Sequence, residues 1–124
     1  MDVFKTKDFA RFARREHISD DMLCNAIARA ERGLIDADLG GGVIKQRVPR
    51  KGQGRSGGYR TLIAYRSVRR SVFMHGFAKS DRDNVTADQL KALKLAAEQA
   101  LAADAGTIER LIAAGEWKEI DCDA

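Results

Sequence analysis

Apolar residues along the chain change period in a way that predicts helices, then strands, then helices. Met1–Lys5 is short and can form a strand. Thr6 is placed to cap a first helix, with Phe9, Phe12 and Ala13 recurring on one face. Ser19 is placed to cap a second, with Asp20 and Asp21 at the positive end of its dipole. Met22, Leu23, Ala26, Ile27 and Ala30 form its apolar stripe, and Gly33 ends it. After Gly40–Gly42, a flexible lead-in, the period shortens. Val43–Val48, Tyr59–Arg66 and Ser71–Ala78 read as three strands. The short link Ser67–Arg70 makes the last two an antiparallel hairpin. Helical spacing returns at Leu90, Leu93, Ala97, Ala100 and Leu101, behind a capping box of Thr86 and Gln89. A shorter helix is expected around Ile108–Ala114, ending at Gly115, with Trp117 and Ile120 as late anchors. The expected class is α+β: N-terminal helices, a small twisted antiparallel sheet and C-terminal helices.

At 124 residues the chain is expected to be one domain, 1–124. No apolar run is long enough to span a bilayer, and MDVFKTKDF lacks the apolar core of a signal peptide. The expected compartment is the cytoplasm, with no membrane partner. Cys24 and Cys122 are far apart in sequence, with no second pair, and read as free thiols. His17 and His75 lack metal-ligand spacing, so no metal or other cofactor is expected. In the apolar stretch VFMHGF, His75 reads as a packed strand residue.

Charge alters the picture through its distribution. Residues 1–42 carry seven Lys/Arg against eight Asp/Glu, and residues 83–124 carry four against nine. Residues 43–82 carry eleven cations and one acid, Asp81. Such a segment favours a polyanionic partner. Strand alternation puts Lys45 and Arg47 on one side, opposite Ile44, Gln46 and Val48. Arg60 and Arg66 share a side opposite Tyr59, Thr61, Ile63 and Tyr65, and Phe73, His75, Phe77 and Lys79 share one in the third strand. Lys45, Arg47, Arg60 and Lys79 can therefore converge on one sheet face. The link PRKGQGRSGG adds Arg50, Lys51 and Arg55 on a glycine-rich segment suited to approaching phosphates, although it lacks a P-loop ending. Tyr59 and Tyr65 are candidate base-stacking platforms or core aromatics.

The stretches VIKQRVPRKGQGRSGGYRTLIAY and VFMHGFAKSDRDN, with the helix behind them, resemble the RelE superfamily of bacterial toxins. The resemblance is strongest over 43–95. It implies a small α+β fold, cleavage of messenger RNA in the ribosomal decoding site, and a cognate antitoxin. By position, Lys45 and Arg47 match the basic pair on the motif's first sheet strand, Arg60 the arginine after its tyrosine, and Lys79–Arg82 its terminal basic segment. Lys45, Arg47, Arg60 and Lys79 are the expected catalytic residues, and Arg50, Lys51, Arg55, Tyr59 and Arg82 the expected RNA-binding ones. It also departs from the pattern: where one branch carries a catalytic tyrosine, this chain has Arg82-Asp83-Asn84-Val85-Thr86. The related ParE branch inhibits DNA gyrase. A topoisomerase inhibitor and a non-catalytic nucleic-acid-binding module of the same fold are therefore the alternatives.

Overall fold

A computed structural model describes residues 1–50, 57–78 and 85–123. Ten elements follow in order: β1 Asp2–Thr6, α1 Lys7–Arg15, α2 Asp20–Glu31, β2 Ala37–Gly40, β3 Val43–Val48, β4 Tyr59–Arg66, β5 Arg70–Ala78, α3 Ala87–Ala102, α4 Ala105–Ala113 and β6 Trp117–Ile120. The six strands form one sheet in the order β2-β3-β4-β5-β1-β6. Every pair is antiparallel except β1–β5. This is the α+β class expected from the sequence.

The capping residues act as their chemistry requires. Thr6 and Ser19 each accept from a backbone N–H three residues on, and Thr86 and Gln89 complete a capping box. Asp104 caps α4 by accepting from the Thr107 N–H. Gly40–Gly42 is not an open lead-in: Gly41–Gly42 is the tight turn of a β2–β3 hairpin, and all three glycines have positive φ. Trp117 and Ile120 belong to β6, which closes the sheet beside β1.

Each face of the sheet carries its own apolar cluster. Phe9, Phe12, Leu23 and Ile27 of α1 and α2 pack on Ile44, Ile63 and Phe73. On the other face, Ala97 and Ala100 of α3 meet Val43, Leu62, Ala64 and Val72. Gln46 is 1 % exposed on the first face. Its amide donates to the Ala26 and Leu34 carbonyls at 2.9 and 3.0 Å, and its oxygen accepts from the Asp36 N–H at 3.2 Å. A buried amide so satisfied ties the end of α2 and the following loop to β3.

Two expectations are corrected. Phe73, His75 and Phe77 do not share a side. Leu62 pairs with His75 and Ile63 with Phe73, so Met74 is an extra residue on β5. This bulge turns Phe73 into the α1–α2 core and leaves His75 and Phe77 with the other face. Cys24 and Cys122 are not free thiols. They form a disulfide with Cα atoms 5.4 Å apart. The pairing of β6 with β1 brings a cysteine 98 residues away in sequence beside α2, a proximity that linear spacing conceals.

Candidate nucleic-acid interface

The basic face is built by register. Arg47 stands directly opposite Arg60 across β3–β4, and Arg60 directly opposite Phe77 across β4–β5. The adjacent row is Lys45, Leu62 and His75. Three of the expected cations, Lys45, Arg47 and Arg60, therefore share one face, and directly opposed residues lie about 5 Å apart. The fourth, Lys79, lies outside the described residues, as do Lys51, Arg55 and Arg82.

Two arginines facing each other across a ladder repel, so other contacts must hold them there. β2 pairs with β3 only as far as Lys45. Beyond it, side chains replace the missing strand. Asp36 accepts from the Arg47 N–H, and the Arg29 guanidinium donates to the Arg47 carbonyl. Both backbone groups of Arg47 are thus fixed by α2 and the loop after it. Burial lowers the Arg29 pKa; Asp36 opposes that, and Arg47 and Arg32 add to it.

Arg60 is only partly exposed, and its Nη1 is buried with no acceptor among the described residues. No ion pair among the described residues involves it. A buried guanidinium N–H without an acceptor is costly, and an anionic oxygen would remove that cost. No other buried side-chain polar atom among the described residues lacks a partner.

Tyr59 is placed differently from its expected role. It is 3 % exposed on the α1–α2 face, with Phe12 edge-on at 5.7 Å. Its hydroxyl donates to the Glu16 carbonyl at 3.4 Å, and the exposed Arg50 guanidinium lies 5.7 Å from the ring centre. A ring covered on this scale packs and does not offer a face to a base. Burial, with Glu16 beside it, pushes its phenol pKa up, so it holds its proton at neutral pH. Tyr65 is likewise engaged, donating to Glu31.

Sequence reading missed two features of the site. His75, taken as a packed residue, is half-buried and lines cavities of about 330 and 350 Å³ with Arg15. Its ring is 6.0 Å from Phe77. Arg15 comes from α1, outside the basic segment. The bulge at Met74 takes Phe73 off the side that His75 shares with Phe77, and the packing of α1 on β5 brings Arg15 to it; neither leaves a signature in the sequence.

Among the described residues, no group of His, Cys, Asp and Glu could hold a metal ion, and no helix is long and apolar enough to cross a membrane. No curated protein matches the chain. The family model described as the RelE toxin of the RelE / RelB toxin-antitoxin system matches residues 1–120. That span takes in both N-terminal helices, the basic face and β6, so the likeness is no longer confined to the glycine-rich middle. With a basic face raised on a six-stranded α+β sheet, the chain belongs to the RelE family of toxins from toxin–antitoxin systems.

Proposed function

We propose that this toxin is a ribosome-dependent endoribonuclease that acts in the cytoplasm and blocks translation by cutting messenger RNA. The observation that carries this reading is the buried Nη1 of Arg60, which has no acceptor among the described residues and is held opposite Arg47. Cleavage through the 2′-hydroxyl needs three things: removal of its proton, stabilisation of charge on the phosphorane oxygens, and a proton for the leaving oxygen. Arg60 and Arg47 supply the second, because guanidinium stays charged and donates in a planar fork. Lys45 and His75 stand diagonal to Arg60 on the same face and supply proton transfer, His75 with the side chain whose ordinary pKa suits neutral pH. Lys79 and Arg82, with Arg50, Lys51 and Arg55 on the loop, extend the phosphate contacts. The chemistry uses no metal.

Arg60 cannot act as a base, and a domain of this size has little binding energy with which to bend free messenger into in-line geometry. Ordering of the messenger by the ribosome therefore contributes a large part of the rate. The experiment is a purified translation system, with and without ribosomes, in which new messenger 5′ ends are mapped by primer extension. Cuts within codons should appear only during translation and vanish in Arg60→Ala. Growth arrest without any new 5′ ends, accompanied by loss of gyrase activity, would instead identify a topoisomerase inhibitor.

A further inference from the structure

A cavity of about 670 Å³ lies between α3 and the Gly41–Gly42 turn, at the end of the strands away from the Arg47–Arg60 row. Its origin is the composition of α3. The helix buries only alanines, Ala97 and Ala100, against the sheet. Small residues let the helix lie close, and its leucines are displaced to the flanks. Leu90 and Leu101 are half-buried in the groove wall, and Leu95 is 59 % exposed beside them. The glycine turn forms the opposite wall and fits only because it lacks side chains: a Cβ at Gly42 would come within 2.8 Å of Leu101 Cδ1. An amphipathic helix that buries its alanines and exposes a leucine presents an apolar surface to something else.

The rim of the groove says what that is. Arg66, Lys91 and Lys94 border it, against one acid, Glu98. An isologous pairing of two copies through this groove would bring those cations against their own equivalents. The leucine walls give a phosphate backbone nothing to contact. The complementary occupant is a protein segment with apolar residues on one side and carboxylates on the other. We propose that this groove anchors an acidic amphipathic segment of the antitoxin, an inference that rests on the toxin–antitoxin reading above. Arg66 is six residues beyond Arg60 on β4, about 20 Å at the rise of a strand. The anchor therefore lies further along the strands from the catalytic row, and neutralisation at that row is a separate contact.

The test uses the full chain and the product of the cotranscribed gene, accepted as the probe once its coexpression restores growth. Lys91→Glu/Lys94→Glu and, separately, Leu95→Glu are titrated against it by calorimetry. Each variant should weaken binding by about tenfold or more, and the lysine reversal should lose more of its effect in high salt. Circular dichroism melts should stay at the wild-type midpoint, since Lys91 and Leu95 are exposed and Lys94 is half-buried at the rim. Leu95→Ser serves if the glutamate variant does not fold. Affinities within roughly threefold of wild type for all variants would overturn the proposal. So would a concentration-dependent homodimer that Leu95→Glu dissolves while the complex with the probe is unaffected. Growth arrest by each variant alone should equal wild type. Absence of arrest by the wild type would count against the proposed activity, while the titration would still decide the groove.

Discussion

Arg60 sits where stability and activity conflict. Its Nη1 is buried with no acceptor among the described residues, a cost that a bound anion would remove. Arg60→Ala should lower the cleavage rate about 10²–10³-fold, the usual loss when one donor aimed at developing charge is removed. The thermal midpoint should hold or rise, because an unsatisfied donor goes with it. Arg60→Lys keeps the charge and loses the planar fork, so it should recover only part of the rate. Single-turnover cleavage on programmed ribosomes, with melts of the same proteins, checks both halves. A variant that is less stable and fully active would remove Arg60 from the site. His17 shows the same tension without a function to explain it. Three helices end in one motif. The residue after the cap turns left-handed and donates to the carbonyl three residues before it, and the next N–H reaches back five. At α2 and α4 that residue is glycine, Gly33 and Gly115; at α1 it is His17, with φ 58°. The Ile18 N–H still closes the motif on the Ala13 carbonyl at 2.8 Å. His17→Gly should therefore stabilise the fold by roughly 0.5–1 kcal/mol in urea titrations, the relief of left-handed strain being partly offset by the entropy of glycine in the unfolded chain.

At the scale of elements, two polar anchors hold the strands that carry the site. Gln46 joins β3 to α2 through one hydrogen bond and to the loop after it through two, in a nearly dry setting. Gln46→Leu fills the space but leaves two carbonyls and one N–H without their partner, which should cost about 2–3 kcal/mol by denaturant titration. Because Asp36 and Arg29 hold Arg47 from the same loop and helix, cleavage should fall as well. The β4–β5 turn is held by Glu31, which accepts from the Tyr65 and Ser67 hydroxyls and from the Val68 N–H at 2.9 Å. Val68 has φ 66°, an uncommon conformation for a β-branched residue, and the carboxylate pins it there. Burial opposes ionisation of Glu31, but those three hydrogen bonds outweigh it and bring its pKa below the ordinary carboxyl value. A depressed folded pKa contributes stability above the unfolded value, and that contribution is lost as pH falls through the folded one. Glu31→Gln should cost about 1 kcal/mol near neutral pH, discounted for solvent exposure, and the gap to wild type should close as pH drops through the acid range. A gap that stays constant down to acid pH would mean the carboxylate's charge contributes nothing. These elements also mark what the sequence made legible. Thr6, Ser19 and the Thr86–Gln89 box announce helix starts by chemistry, and β3 and β4 run over the residues that alternation picks out. β2 and β6 were hidden because four residues are too few to show a period, and Trp117 and Ile120 fall at a helical spacing. The bulge at Met74 was hidden because it depends on where β5 meets β4. It decides that Phe73 leaves the side that His75 shares with the cations.

For the whole molecule, the chain's two ends are held together at one margin of the sheet. β6 pairs with β1, and Cys122, two residues beyond β6, is bonded to Cys24 on α2. The bond closes a loop over nearly the whole chain. In the chain-entropy account a closed loop of about 100 residues removes up to about 4.7 kcal/mol of freedom from the unfolded state, with less expected where that state keeps structure. The basic face depends on the same closure only indirectly, since β1 and β6 lie beyond β5, on the side away from Lys45, Arg47 and Arg60. Stability and activity should therefore separate. Under non-reducing conditions, intact-mass measurement should find the protein lighter by two hydrogens than the reduced chain. Cys122→Ser should unfold at lower denaturant than the oxidised wild type and coincide with wild type treated with reductant. A reducing cytoplasm holds such pairs as thiols, so arrest of growth by Cys122→Ser should match wild type there. Identical unfolding midpoints for oxidised and reduced wild type would show that the tail adds no constraint to the fold. A loss of cleavage in Cys122→Ser at full stability would place the tail in contact with the ribosome, a role that its distance from the basic rows on the sheet argues against.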